Sequence, residues 1–279
     1  MVTVARGPAK ELVRISILIF PTAFLIALLV ATILAAQTAP PTSSISSSTP
    51  QIIPPRPNYP FPDGRSYVYS AEWHMLTAGS GVIRMESSGN ARRVLASADS
   101  AGAINVIFPV RDRFESHFDP QTFCSHSIVK HSEEGSHKRE TKIQFDYAAK
   151  KSKMDERNIK TTEMKHVETD IPGCVTDILT GFFYVQSLPL RPGATYDFPV
   201  SDGKSAVVHA TVDKLEQIKV PAGTFSAVMV TAEAISGSLQ SKGKVWVWYS
   251  DDAAHTPVQM RAKLGWGTLL FRLQRIENK

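Results

Sequence analysis

Cysteine is almost absent: Cys124 and Cys174 are the only two in 279 residues. With no Cys-x-x-Cys pair and no Cys/His array, the zinc modules that depend on such spacing are not expected. The eight histidines include no His-Glu-x-x-His pair, so a helical metalloprotease site is not expected either. No Gly-x-Ser-x-Gly elbow marks a serine as a nucleophile. Gly79-Ser-Gly81 and the stretch 237–243 both lack the Lys-Ser/Thr that completes a phosphate loop. Charge of one sign is scarce as well. Of the formal net charge of +5, Arg6, Lys10 and Arg14 against Glu11 place +2 in residues 1–36, leaving only +3 for the rest. A domain of that charge is not a nucleic-acid surface. These absences lead to the expectation of no catalytic residue, no metal, no cofactor and no nucleic-acid partner.

What is present begins with a long apolar run. Ile15–Ala36 holds 22 residues without a charge, enough to cross a hydrocarbon core of roughly 30 Å. The basic residues before it put the N-terminus inside. Residues 1–36 therefore read as an N-terminal hydrophobic helix, either a membrane anchor or a cleaved signal segment. The run is longer than an ordinary signal core of about 7–15 residues, and Leu34-Ala-Ala36 is a poor exit; the anchor is the preferred reading. Both readings place the remainder outside the cytoplasm, with the membrane a partner through residues 15–36. Residues 37–62 are rich in Pro, Ser and Thr and read as a linker or stalk. Residues 63–279 read as the exported domain.

That domain alternates. Tyr67, Tyr69, Ala71, Trp73 and Met75 fall on one face of an extended run, with Val68, Ser70, Glu72 and His74 on the other. Comparable runs cover 82–86, 92–98, 103–108, 122–131 and 138–147, while 150–165 reads as an exposed strand and loop. Lys219-Val-Pro-Ala-Gly-Thr-Phe225 is a tight connection, because Pro221 fixes φ and Gly223 accepts a positive one. One stretch departs from period two. Val175, Ile178, Leu179, Phe182, Phe183 and Gln186 follow helical spacing, with Asp177 placed to cap the first turn. The expected fold is mainly β: an antiparallel meander of roughly ten strands, forming an open or closed barrel-like sheet with one short amphipathic helix.

Candidate ligand-binding residues are those with large apolar surface near that helix: Trp73, Phe182, Phe183, Trp246 and Trp248, together with Asp177. Trp246 and Trp248 share one strand face, and Val245, Val247 and Tyr249 the other, so one apolar face is left to meet the helix, a ligand or a partner. Asp251-Asp252, and Asp112 with Glu115, are possible carboxylate pairs. Cys124 and Cys174 either pair as a disulfide, which suits an exported chain, or stand apart as small buried hydrophobes.

The order of motifs resembles a bacterial cell-envelope family known as domain of unknown function 3108. The pieces are Ala71-Glu-Trp73 with Ala78-Gly79; Asp112-Arg-Phe-Glu-Ser116; Asp177-Ile-Leu-Thr-Gly-Phe-Phe-Tyr184 leading to Leu188-Pro-Leu-Arg-Pro-Gly193; Val220-Pro-Ala-Gly-Thr-Phe225; and Trp248-Tyr-Ser-Asp-Asp252 before Thr256-Pro-Val258. The chain departs from the family pattern at Thr180, usually Ser, and at Gln186, often Arg. The resemblance implies an exported β-rich domain and brings no established chemistry. The first expectation is thus a non-catalytic envelope protein, located in the periplasm, that binds an apolar or lipidic ligand. A structural or interaction scaffold for an envelope protein partner is the second. A hydrolase of envelope polymer, needing Asp177, Asp251 or a histidine beside a nucleophile, is the third.

Overall fold

Alternation along each strand, repeated fourteen times, builds one antiparallel sheet. The computed structural model describes residues 50–278, apart from 75, 238–239, 241–242 and 265–266. The chain divides into two units, Met1–Ser47 and Ser48–Lys279, and the described residues belong to the second. The hydrophobic segment 15–36 lies outside them. Among the described residues no helix is long and apolar enough to cross a membrane.

The first meander runs β1 (Arg65–Trp73), β2 (Leu76–Ser88), β3 (Ala91–Ser100), α1 (Gly102–Ile107), β4 (Val110–Phe118), β5 (Ser125–Glu134), β6 (His137–Asp146), β7 (Lys151–Asn158) and β8 (Met164–Asp170). After α2 (Ile178–Ser187) the second runs β9 (Thr195–Ser201), β10 (Ser205–Val220), β11 (Gly223–Ala234), β12 (Lys244–Ser250), β13 (Pro257–Leu264) and β14 (Gly267–Asn278). The meanders join where β14 returns to β1, with Tyr69 opposite Leu273 and Ala71 opposite Phe271. The sheet order is therefore β8 to β1, then β14 down to β9.

Strands β8 and β9 are the two edges, and they do not pair. The sheet is open as a ladder, though the connection between the edges covers the gap. Thr176 forms an isolated parallel bridge with Val200; its N–H donates to the Pro199 carbonyl at 3.1 Å, and Ser201 N–H donates to its carbonyl at 2.8 Å. At the far corner the Thr169 hydroxyl donates to Gly203 O and the Ser205 hydroxyl to Asp170 O, at 3.1 and 3.0 Å. Cys124 and Cys174 are joined in a disulfide with Cα atoms 5.0 Å apart, tying the β4–β5 corner to this same connection.

Three expectations are corrected. Among the described residues the strand count is fourteen, not about ten; the exposed strand and loop read over 150–165 holds β7 and the start of β8, which carry little apolar alternation. Residues 103–108 form α1 rather than a strand: Gly102 takes φ +57° and turns the chain, and Phe108 N–H donates back to Ile104 O at 2.7 Å. A short apolar run cannot be assigned by period alone. Finally, α2 is not amphipathic. Leu179, Thr180, Gly181, Phe183, Tyr184, Val185 and Gln186 are all buried, so it is an interior helix covered on nearly every side. Gly181 permits this, since a Cβ there would sit 3.1 Å from Thr176 Oγ1.

The spacer read over 37–62 also ends earlier than expected. Ile53 N–H donates to the Tyr184 hydroxyl at 3.1 Å, and Tyr59 and Phe61 pack against the core. There Phe61 joins an aromatic cluster in which Phe118 stacks on Phe123 and Phe123 meets Tyr184 edge-on, with centroids 5.2 and 5.6 Å apart.

Candidate ligand pocket

The sheet curves around α2, and register decides which side chains face the helix. Opposite one another across β3, β2, β1 and β14 stand Ala98, Gly81, Tyr69 and Leu273. Further out, Phe271 faces Met260, which faces Val247. Where the inward residues are small, at Gly81, Ala96, Ala98 and Ala262, the sheet does not fill the space beneath the helix. A hollow of about 280 Å³ remains, open on one side and walled by these residues with Ile83, Phe114, Val245 and Phe271. Ile178, Leu179 and Phe182 of α2 form its roof.

A single carboxylate enters this apolar surface. Asp112 is 9% exposed and receives one hydrogen bond, from the Glu133 N–H at 3.2 Å. Burial, with a smaller contribution from the charge of Glu134, pushes its pKa up to about 6. Glu115 is three residues on and therefore points to the other face, where it meets His117 at 2.8 Å and Arg93 at 3.7 Å. The suspected pair is thus split by the sheet.

Asp177 is different in kind. It is fully buried and does not line the hollow. Its Oδ1 accepts the N–H groups of Leu179 and Thr180 at 2.8 and 3.0 Å, capping α2. Its Oδ2 accepts the Ser125 and Thr180 hydroxyls at 2.6 and 2.9 Å, and that of Ser116. The Ser125 hydroxyl in turn accepts Asp177 N–H at 2.8 Å. Five donors hold both oxygens, so the motif pieces 112–116 and 177–184 meet through Ser116 and Asp177.

Of the six candidate ligand residues, Phe182 alone lines the hollow. Phe183 is buried on the helix's other side, edge-on to Phe182. Trp246 and Trp248 stand on the opposite sheet face. Arg261 lies over both rings, 4.1 and 5.6 Å from their centroids, and Trp248 Nε1 donates to Glu216 at 2.8 Å. Trp73, at the end of β1, packs on His74 with centroids 4.8 Å apart. Asp252 organises a turn, accepting from the Ser250 hydroxyl and the N–H groups of Ala254 and His255 at 2.9 to 3.1 Å. Among the described residues no group of three or more His, Cys, Asp or Glu could hold a metal. The residue that sequence reasoning undervalued is Asp112. Its signal was its parity with Phe114 and Ser116, which puts a charge on the inward face of a strand.

Three comparisons bear on this arrangement. Residues 68–274 match the family described as "Protein of unknown function (DUF3108)". A β-barrel-like protein of DUF1849 from Brucella abortus is similar in structure, with a TM-score of 0.54 and 8% identity, over 82% of this chain and 99% of that one. The hypothetical protein CT021 from Chlamydia trachomatis gives a TM-score of 0.35 at 8% identity, over 77% and 87% of the two chains. No curated protein matches the sequence.

Proposed function

The chain belongs to the DUF3108 family, and since that description assigns no activity we propose, from the site itself, a non-catalytic exported envelope protein that holds an apolar chain beneath α2. The observation that carries the reading is the hollow of about 280 Å³, walled almost wholly by aliphatic and aromatic side chains and bounded by α2. Its size is just under the roughly 300–1,000 Å³ of small-molecule sites, which fits one alkyl chain. Export is supported by the disulfide, which belongs to oxidising compartments, and by the uncharged run 15–36, through which the domain is tethered to or passed across the membrane.

The test is photolabelling of the full chain, held in lipid nanodiscs, with a diazirine-bearing alkane. The expected adducts fall on the β3 and β13 peptides that carry Ala98 and Ala262, and they disappear in Ala98→Phe, which fills the hollow. Labelling confined to other surfaces, or unchanged by that substitution, overturns the reading. An interaction module of the envelope would then replace it. That second reading draws on Val106 and Ile107 of α1, which are 83% and 79% exposed.

A further inference from the structure

The hollow has a polar neighbour. Phe114 and Ile178 each border two spaces: the apolar one, and a second of about 260 Å³ above β4–β7. The second is lined by charged and hydroxyl side chains. Asp112 stands at the seam, because its cross-strand partner Ser132 lines the polar space while Asp112 itself lines the apolar one. Around this seam four carboxylates, Asp112, Glu134, Glu156 and Asp202, face three basic side chains, Lys130, His137 and Arg139. Lys130 pairs with Asp202 at 2.5 Å, and Arg139 with Glu156 at 3.7 Å. Among the described residues no lysine or arginine pairs with the Asp112 carboxylate; the Arg113 guanidinium beside it donates to Asp99 at 2.8 Å and to the Asp112 main-chain carbonyl at 2.6 Å.

We infer that the ligand is a single-chain amphiphile whose head group donates hydrogen bonds or carries a positive charge, its chain beneath α2 and its head turned to Asp112. The inference rests on the pocket reading above and adds the head group to it. A buried carboxylate with one hydrogen bond has acceptor capacity left over, and a donor head restores what burial removed. An anionic head would meet a surplus of like charge. The raised pKa agrees with this geometry: Asp112 is ionised at neutral pH and loses its charge in mild acid. Glu134 adds to the effect of burial, whereas the Glu133 N–H, Arg113 and His131 oppose it. From α2 the hollow is faced by Ile178, Leu179 and Phe182, none of which titrates.

The experiment labels the full chain in phosphatidylcholine nanodiscs at pH 7.5 with three diazirine probes of one chain length, ending in an amine, an alcohol or a carboxylate. The amine and the alcohol are expected to label the β3 peptide about tenfold more efficiently than the carboxylate. Asp112→Asn should shrink that preference to about twofold, and the head-less alkane reports in the same variant whether the hollow still takes a chain. A second measurement needs no variant: in the native chain the preference for the amine should fall as pH drops below about 6, while the alcohol holds. Equal labelling by all three probes, insensitive to Asp112→Asn and to pH, overturns the head-group assignment and leaves the pocket standing if the alkane still labels it. Failure of every probe, the alkane included, removes both.

Discussion

Removing Asp177 tests whether α2 is held by its first turn. In Asp177→Ala the cap to the Leu179 and Thr180 N–H groups is lost, which costs about 1 kcal/mol. The hydroxyls of Ser116, Ser125 and Thr180 lose their common acceptor in a fully buried place. Hydrogen bonds to a charged group contribute roughly 1.5–3 kcal/mol each. They are not additive, and the hydroxyls can rotate to find one another, as the 3.0 Å contact between Ser116 and Thr180 shows. Relief from burying a charge offsets a further part. The balance is a loss of about 4 kcal/mol, a large share of the roughly 5–15 kcal/mol that holds a domain. Asp177→Asn keeps the Oδ1 cap and spoils only the hydroxyl acceptor, so it should cost about half as much. Urea unfolding followed by tryptophan fluorescence gives both values, and hydrogen exchange across 178–187 shows whether the helix loosens locally. A loss below about 1 kcal/mol in the alanine variant, with protection of α2 unchanged, would refute the assignment of Asp177 as the structural anchor.

Replacing Cys124 and Cys174 with serine opens a loop with a sequence separation of 50, which on the chain-entropy relation lowers stability by about 4 kcal/mol; thermal unfolding with and without reductant checks it. Asp112 gives a pH signature. Its folded pKa of about 6 exceeds the ordinary value of 3.8 expected in the unfolded chain, so between these limits the native state holds more protons than the unfolded one. Stability should therefore rise as pH falls from about 7 towards 4, and Asp112→Asn should flatten that limb and add up to about 3 kcal/mol at neutral pH. Glu133 acts in the opposite sense at lower pH: its bond to Lys138 holds its pKa down at about 2, and that contribution is lost as pH falls from the ordinary carboxylate range through 2. Denaturation midpoints across the range separate the two.

Much of the fold was legible because a sheet with one buried face writes its period into the chain. The Pro221-Ala222 connection lies between β10 and β11 as its residues require, and Asp177 caps the helix it precedes. The Thr180 hydroxyl makes the contact to Asp177 that the family's usual serine would also supply. What escaped was anything set by relations between strands. Trp246 and Trp248 are large and apolar, yet only the register to β11 and β13 shows that their face meets Glu216 and Arg261 rather than the helix. The hollow itself is made of small residues, Gly81, Ala96, Ala98 and Ala262, which carry no signal until the five strands from β3 to β13 lie side by side. Paired charges on the outer face of β6 and β7, such as Glu140 with Arg157 at 2.5 Å, explain why 150–165 reads as an exposed strand and loop.

The seam between β1 and β14 has a meaning in time as well as space. Each meander is made of neighbours in sequence and can assemble as its residues arrive. The pairing of Tyr69 with Leu273 joins residues some two hundred positions apart, and contacts of such separation are the slow ones. Until β14 is in place, β1 shows an unpaired edge beside the half-built hollow. A chain arranged in this way does not reach its finished form before its last strand has been delivered. That delay makes the arrival of β14 the step that ends the vulnerable period.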